Sequence, residues 1–370
     1  MKTEPADIPE PDRVPGVPHP RMARHLHGHA GPAQEFIDAE RSGRLHHAWL
    51  LTGPRGIGKA TLAWNIARWL LSGAVSPDMS VPADDPVAHR VQALSEPRLQ
   101  LLRRPWDEKT GRLRAEITVD EVRRLLSFFH MSASDGGWRV AIVDCADEMN
   151  PNAANALLKV LEEPPKNGLI LLIAHQPARL LPTIRSRCRT LRLSPLPPDL
   201  MTRALADFGI EEDGESLAAL SEGSVGEALR LAGQDGLSRY QEIIDLFATL
   251  PRLDRQAAAK LSDRAAGRAT ADGDPFDLVI TLLDRFLTRT ARAGLMGAPL
   301  PQAAKGEGNL LSRLSPHDHA ARDWADAQAR LSARARAGRA VNLDPAALVM
   351  DMLTELAHLP SAQSALPAKG

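Results

Sequence analysis

The chain has 370 residues, with 45 Lys and Arg against 46 Asp and Glu, so it has no overall positive excess with which to coat nucleic acid. Hydrophobic residues make up 44% and charged residues 25%, the balance of a soluble chain of two or three domains with a sizeable core. Seven Phe, six Trp and one Tyr are too few for rows of base-stacking platforms, and two cysteines exclude a disulfide scaffold and a four-cysteine zinc module.

Residues 1–20 are Pro-rich without periodicity and are expected to form a mobile leader. They contain no apolar core for a secretory signal, and the most apolar run, Gly168 to Ala174, is too short to cross a bilayer. A cytoplasmic location without membrane contact is the expectation. His47 to Thr52 is a short apolar run ending at Gly53, which predicts a buried strand, and Lys59 to Leu71 predicts a helix. Residues 72–112, rich in Pro, Asp and Arg, read as a surface insertion with little core.

Ile117 to Val119 leads into a predicted helix over Asp120–Ser132, and Gly136-Gly137 turns the chain into a strand at Arg139–Asp144. Asn150-Pro151 supplies a cap and a first-turn proline for a helix that must end at Pro164-Pro165. Leu169–Ala174 and Thr190–Leu193 predict two further strands. Strands alternating with helices, each run apolar throughout, indicate a parallel sheet covered on both faces. After Pro195 no convincing strand remains. Short helices over 199–233 give way to longer amphipathic ones over 236–360, interrupted by a weak segment near 299–315.

Gly53-Pro54-Arg55-Gly56-Ile57-Gly58-Lys59 lies between a predicted strand and a predicted helix, the context of a phosphate-binding loop. Backbone amides would curl around the phosphates, and Lys59 would reach the terminal ones. The next residue should carry a hydroxyl for magnesium. Here it is Ala60, and Thr61 is rotated by about 100° along the helix. Asp144 at the end of a strand is the candidate magnesium ligand, but Cys145 follows it where an ATPase needs Glu to orient water. Cys145 reads as a small buried hydrophobe. Nucleotide binding is therefore expected and hydrolysis is not.

Arginines at 185, 187, 189 and 192 concentrate charge after the last long strand. They form either a solvated edge or an arginine presented to a phosphate on another subunit. His25, His27 and His29 read as an exposed basic stretch, and His46-His47 as packing residues. Asp147-Glu148 read as the acidic lead-in to the Asn150 helix.

Four segments, Leu45–Lys59, Arg139–Asp144, Asn155–Pro165 and Ser186-Arg187-Cys188, occur in the order and spacing of one known family. Over residues 22–235 the chain resembles the delta-prime subunits of the bacterial DNA polymerase III clamp loader, within the AAA+ clamp-loader family. The resemblance implies an AAA+ P-loop α/β domain over 21–195, a helical lid over 196–235, a helical collar over 236–360 and a tail over 361–370. It implies a stator in a hetero-pentameric ring with gamma/tau ATPase subunits and a delta subunit, which loads the sliding clamp onto primer-template DNA. Arg187 would act in trans as an arginine finger, framed by Ser186 and Cys188. The chain would be part of DNA polymerase III holoenzyme, with ATP or ADP and possible magnesium at the loop but no hydrolysis of its own.

Motors of this family carry Arg in a Gly-Ser-x-Arg stretch of the lid, whereas Gly223-Ser-Val-Gly226 ends here in glycine. Many members carry a zinc module after the phosphate-loop helix, but residues 72–112 contain no cysteine, so no zinc is expected. The alternatives are an active AAA+ motor, which would need Ala60, Cys145 and Gly226 compensated, and a small-molecule P-loop kinase, which fits the helical second half poorly.

Overall fold

Four of the strands are apolar at almost every position, and such strands are stable only when both faces are covered. In the computed structural model, which describes residues 10, 13–130, 137–210, 213–270 and 273–364 with side chains to Leu359, they form one parallel sheet. The first half of the chain runs α1 (Ala30–Arg41), β1 (Ala48–Thr52), α2 (Lys59–Leu71), α3 (Pro86–Gln92), β2 (Leu99–Leu102), β3 (Trp106–Asp107) and β4 (Arg112–Leu113). It continues with α4 (Val119–His130), β5 (Arg139–Val143), α5 (Pro151–Glu162), β6 (Gly168–Ala174), α6 (Pro182–Arg185) and β7 (Arg189–Arg192).

The five-stranded sheet has the order β2-β5-β6-β1-β7, with β3 and β4 forming a separate small hairpin. β1 is central, its Leu50 opposite Leu172 on one side and Thr190 on the other. Because alternate side chains point to opposite faces, β1 feeds two cores. Trp49 and Leu51 join Phe36 of α1 and Leu62, Ile66 and Trp69 of α2. Ala48 and Leu50 join Val122 and Leu125 of α4 and Leu157 and Leu161 of α5. The predicted start of α5 is present, with the Asn150 side chain accepting from the Ala153 amide.

Two expectations are corrected. Residues 72–112 are not a coreless insertion: β2 pairs with β5 at the sheet edge, and Val91 of α3 is fully buried in the α1–α2 core. The leader is also not mobile throughout. Residues 1–9, 11 and 12 lie outside the described residues, but His19 is buried edge-on against Trp64, and Glu10 pairs with Arg21 and Arg103. Ser132 and Gly136, in the predicted helix end and turn, and the last six residues of the predicted tail lie outside the described residues too.

The chain divides into two compact units, one running to Ala204 and including Ser224–Gly226, the other taking Leu205–Gly223 and everything from Glu227. Helices α7 (Pro198–Ala206), α8 (Gly214–Ser221) and α9 (Val225–Gly233) cover the short-helix region. The second unit continues with α10 (Gly236–Ala248), α11 (Arg255–Ala265), α12 (Pro275–Met296), α13 (Glu307–Leu314), α14 (Asp318–Ala340) and α15 (Pro345–Ser364). α12 packs on α14, and its Phe286 lies 4.4 Å from the Phe247 ring and 6.3 Å from the Trp324 ring.

The weak segment near 299–315 is a loop followed by α13. Fully buried Glu307 pins it, accepting from Arg289 at 2.6 Å, Tyr240 at 2.7 Å and the Ala303 amide at 2.6 Å. A buried carboxylate satisfied this completely is compatible with a core, whereas one missing a partner would not be. Among the described residues no helix is long and apolar enough to cross a membrane.

Candidate functional site: the phosphate loop and the arginine segment

The chain leaves β1 at Thr52 and must turn at once into α2. A side chain at Gly53, where φ is +144°, would place its Cβ 2.5 Å from the Leu193 carbonyl oxygen and from Ile57, so only glycine fits. Lys59 opens α2, is only 2% exposed, and donates from Nζ to the Gly53 and Pro54 carbonyls at 2.7 and 2.6 Å. Burial pushes its ammonium down to about 8, against the opposing pull of the Asp147 and Asp144 carboxylates.

The remaining loop carbonyls are also bonded. Arg55 O accepts from Ser224 Oγ at 2.9 Å, Gly56 O from the Gly226 amide at 2.8 Å, and Ile57 O from His29 Nε2 at 2.6 Å. His29 is therefore not part of an exposed basic stretch: it is 2% exposed, and burial lowers its pKa. His46 and His47 stack at 4.3 Å, with His47 bonded to the Leu161 carbonyl, as packing residues do.

Among the described residues, the backbone N–H groups of Arg55, Gly56, Ile57 and Gly58 have no protein acceptor. Four open amides beside a helix N-terminus and a lysine make a donor set that fits a phosphate. For magnesium the set is thinner. Ala60 has no hydroxyl, Thr61 is half-buried, and Asp144 is a buried carboxylate; among the described residues no group of three or more His, Cys, Asp or Glu side chains is arranged to hold a metal ion.

Asp144 and Cys145 follow β5, and His175 follows β6 beside it. Cys145 Sγ lies 3.3 Å from His175 Nε2 and 3.8 Å from Asp144 Oδ1. Burial, reinforced by Asp144 and Glu148, pushes the thiol upward, while burial and Lys59 push His175 down to about 4. Both groups are neutral near pH 7, so the pair is neither a thiolate nucleophile nor a base that activates water. Asp147 and Glu148 do not lead into α5 as expected. Asp147 accepts from the His175 and Gln176 amides, and Glu148 pairs with Arg104 at 2.8 Å.

Arg187 follows α6 and is 37% exposed. It donates to the Thr183 carbonyl at 3.1 Å and pairs with Glu162 at 3.0 Å. These partners are distinct from the loop residues, so Lys59, Asp144 and Cys145 gather in one place and Arg187 in another. Ser186 is exposed, and Cys188 packs on the α4–α5 core with its thiol pushed up by burial to about 12. Arg189 pairs with Glu35 and lies 4.8 Å over Trp49, while Arg185 and Arg192 are exposed.

Sequence reasoning marked the Gly223-Ser-Val-Gly226 stretch for its missing arginine, but not the contacts that Ser224 and His29 make with the loop, nor His175 beside Cys145. The partners are separated by 28 to 169 residues, and no local pattern marks those contacts.

The family model described as "DNA polymerase III, delta subunit" matches residues 28–197. DNA polymerase III subunit delta' of Pseudomonas aeruginosa is 38% identical over 235 residues, covering 62% of this chain and 68% of that protein. The Bacillus subtilis subunit delta' is 32% identical over 210 residues, 56% of this chain and 60% of that protein. Escherichia coli subunit tau is 29% identical over 221 residues, 56% of this chain but 33% of tau. With the phosphate loop, the parallel sheet and the Ser-Arg-Cys segment in place, the chain belongs to the delta' family of DNA polymerase III.

Proposed function

We propose that this chain is a stator of a clamp-loader ring: it does not hydrolyse nucleotide itself and donates Arg187 to the ATP site of a neighbouring gamma/tau-type subunit. The observation that carries the reading is Cys145. The position where a hydrolysing site needs a carboxylate holds a buried, neutral thiol locked between His175 and Asp144. Of the acids that follow, Asp147 accepts from the His175 and Gln176 amides and Glu148 is engaged by Arg104.

Arg187 has the opposite character. Its guanidinium is partly exposed and held by one surface carboxylate, which an incoming phosphate can replace. On this reading the phosphate loop, Gly53 to Thr61, holds ATP or ADP, with Asp144 as the side chain available to a bound magnesium. Residues 196–235 serve as lid and 236–360 as the collar that joins the ring with a delta subunit. The assembled cytoplasmic complex loads the sliding clamp onto primer-template DNA. DNA is contacted through backbone phosphates without sequence readout.

The test is ATP turnover by a reconstituted ring containing Arg187→Ala, beside the isolated unaltered chain, with clamp and primed DNA present. The isolated chain is expected to be silent. In the ring, turnover at the neighbouring site falls about 10³-fold, as for other fingers supplied in trans. Turnover by the isolated chain that vanishes with Lys59→Ala would restore the motor reading. A ring indifferent to Arg187→Ala would reduce the segment to a charged edge.

A further inference from the structure

All five carbonyls from Gly53 to Ile57 are occupied by donors of this chain: Lys59 takes the first two, Ser224 the third, the Gly226 amide the fourth and His29 the fifth. In a trans peptide the carbonyl and the following N–H point in opposite directions. Each bond that draws a carbonyl one way therefore aims the next amide the other way. Ser224 fixes the Gly56 amide, Gly226 fixes the Ile57 amide, and His29 fixes the Gly58 amide. Among the described residues these three amides have no hydrogen-bond acceptor.

We propose that Ser224, Gly226 and His29 are positioning residues that brace the phosphate loop from behind, so that its amides face a nucleotide phosphate before any nucleotide arrives. The inference rests on the reading of the loop as a nucleotide site. Glycine at 226 is part of the device. A Cβ there would lie 3.0 Å from Gly56 Cα and 3.3 Å from its carbonyl oxygen, so the backbone-to-backbone bond tolerates no larger residue without moving the loop. The position where related motors reach forward with an arginine side chain is used here to support the loop through the main chain. Preorganised amides need no reordering on binding, which is where the affinity comes from.

The experiment is a fluorescence titration of the full chain with a fluorescent ADP analogue, competed with unlabelled ADP and with inorganic pyrophosphate. Ser224→Ala and Gly226→Ala are each expected to weaken binding about tenfold, the scale of losing one orienting bond. Ser224→Thr, which keeps the hydroxyl, is expected to bind within about twofold of the unaltered chain. The melting temperature separates positioning from general damage. Ser224→Ala should shift it by no more than about 2–4 °C, and the same small shift should accompany Ser224→Thr.

Binding that stays within twofold in both alanine variants overturns the brace. Binding that tightens also overturns it, because residues 224–226 would then be competing with the phosphate. Absence of any binding by the unaltered chain is a different failure: it removes the nucleotide reading of the loop, and the inference falls with it. If Gly226→Ala does not fold, Ser224→Ala against Ser224→Thr decides alone.

Discussion

The glycine-rich loop and the arginine segment both carry positive groups, and they are held in opposite ways. In the loop every carbonyl is satisfied internally and Lys59 is almost wholly buried. In the arginine segment, Arg187 relies on one surface glutamate and one carbonyl, both of which water can replace. The loop's shape is therefore part of the fold's stability, whereas the position of Arg187 is a local equilibrium that costs the fold little. Mutations should separate the two: those that force a side chain into the loop's close contacts should lower the stability of the isolated chain, and those around Arg187 should leave it unchanged.

The largest expected effect is at Gly53. Gly53→Ala forces a side chain into the Leu193 carbonyl and a φ of +144°, so a loss of about 4 kcal/mol is expected in denaturant unfolding of the isolated chain. A loss below about 1 kcal/mol would mean the loop is as replaceable as the arginine segment.

Next comes His175. Its imidazole stays neutral in the folded chain down to about pH 4 but takes a proton near 6.5 when unfolded. Between those values the unfolded chain binds more protons, so stability falls as pH drops from about 6.5 to 4, and it is unaffected above that window. The contribution is about 3 kcal/mol, read as the difference in pH dependence between the unaltered chain and His175→Gln. Parallel curves for the two proteins would contradict the burial argument.

Smaller effects are expected at the exposed segment. Glu162→Gln removes the partner of Arg187 but should change unfolding free energy by less than about 1 kcal/mol, because both groups face water. In the ring, turnover should be unchanged or slightly raised. A fall would show that Glu162 aims the arginine rather than merely resting against it. The smallest effect concerns metal. With no hydroxyl at Ala60, chelating magnesium with EDTA should change ADP-analogue affinity by less than about twofold, whereas a tenfold loss would assign Asp144 a larger role.

How much was legible in the sequence follows from the range of the interactions involved. The strands β1, β5 and β6 are announced by nearly continuous apolar residues, and α5 by its cap and proline, all local signals, whereas β7, Arg-Thr-Leu-Arg, buries Leu191 alone. β2 escaped because Leu99–Leu102 is four residues long, lies at the edge and is bordered by arginines, so it resembles the charged surface around it. The strand–glycine loop–helix turn at Gly53–Lys59 and the burial of Cys145 after β5 were legible because local pattern defines them. The brace was not, because Ser224 meets Arg55 across 169 residues, and His29 looked like one of three alternating surface histidines. Asp147 was misread for the same reason, since the amides it caps belong to residues 175 and 176.

The central place of β1 bears on how the chain is made. Its two neighbours in the sheet, β6 and β7, lie more than a hundred residues downstream. At a synthesis rate of about 5–20 residues per second, roughly 6 to 25 s separate the emergence of Thr52 from that of Gly168. Throughout that interval Trp49, Leu50 and Leu51 have no sheet to join, and α2 can shelter at most one side of the strand. The nascent chain thus carries an unpaired apolar strand for most of the production of its first unit, and a pause in translation after α5 would prolong that exposure at the point of greatest aggregation risk.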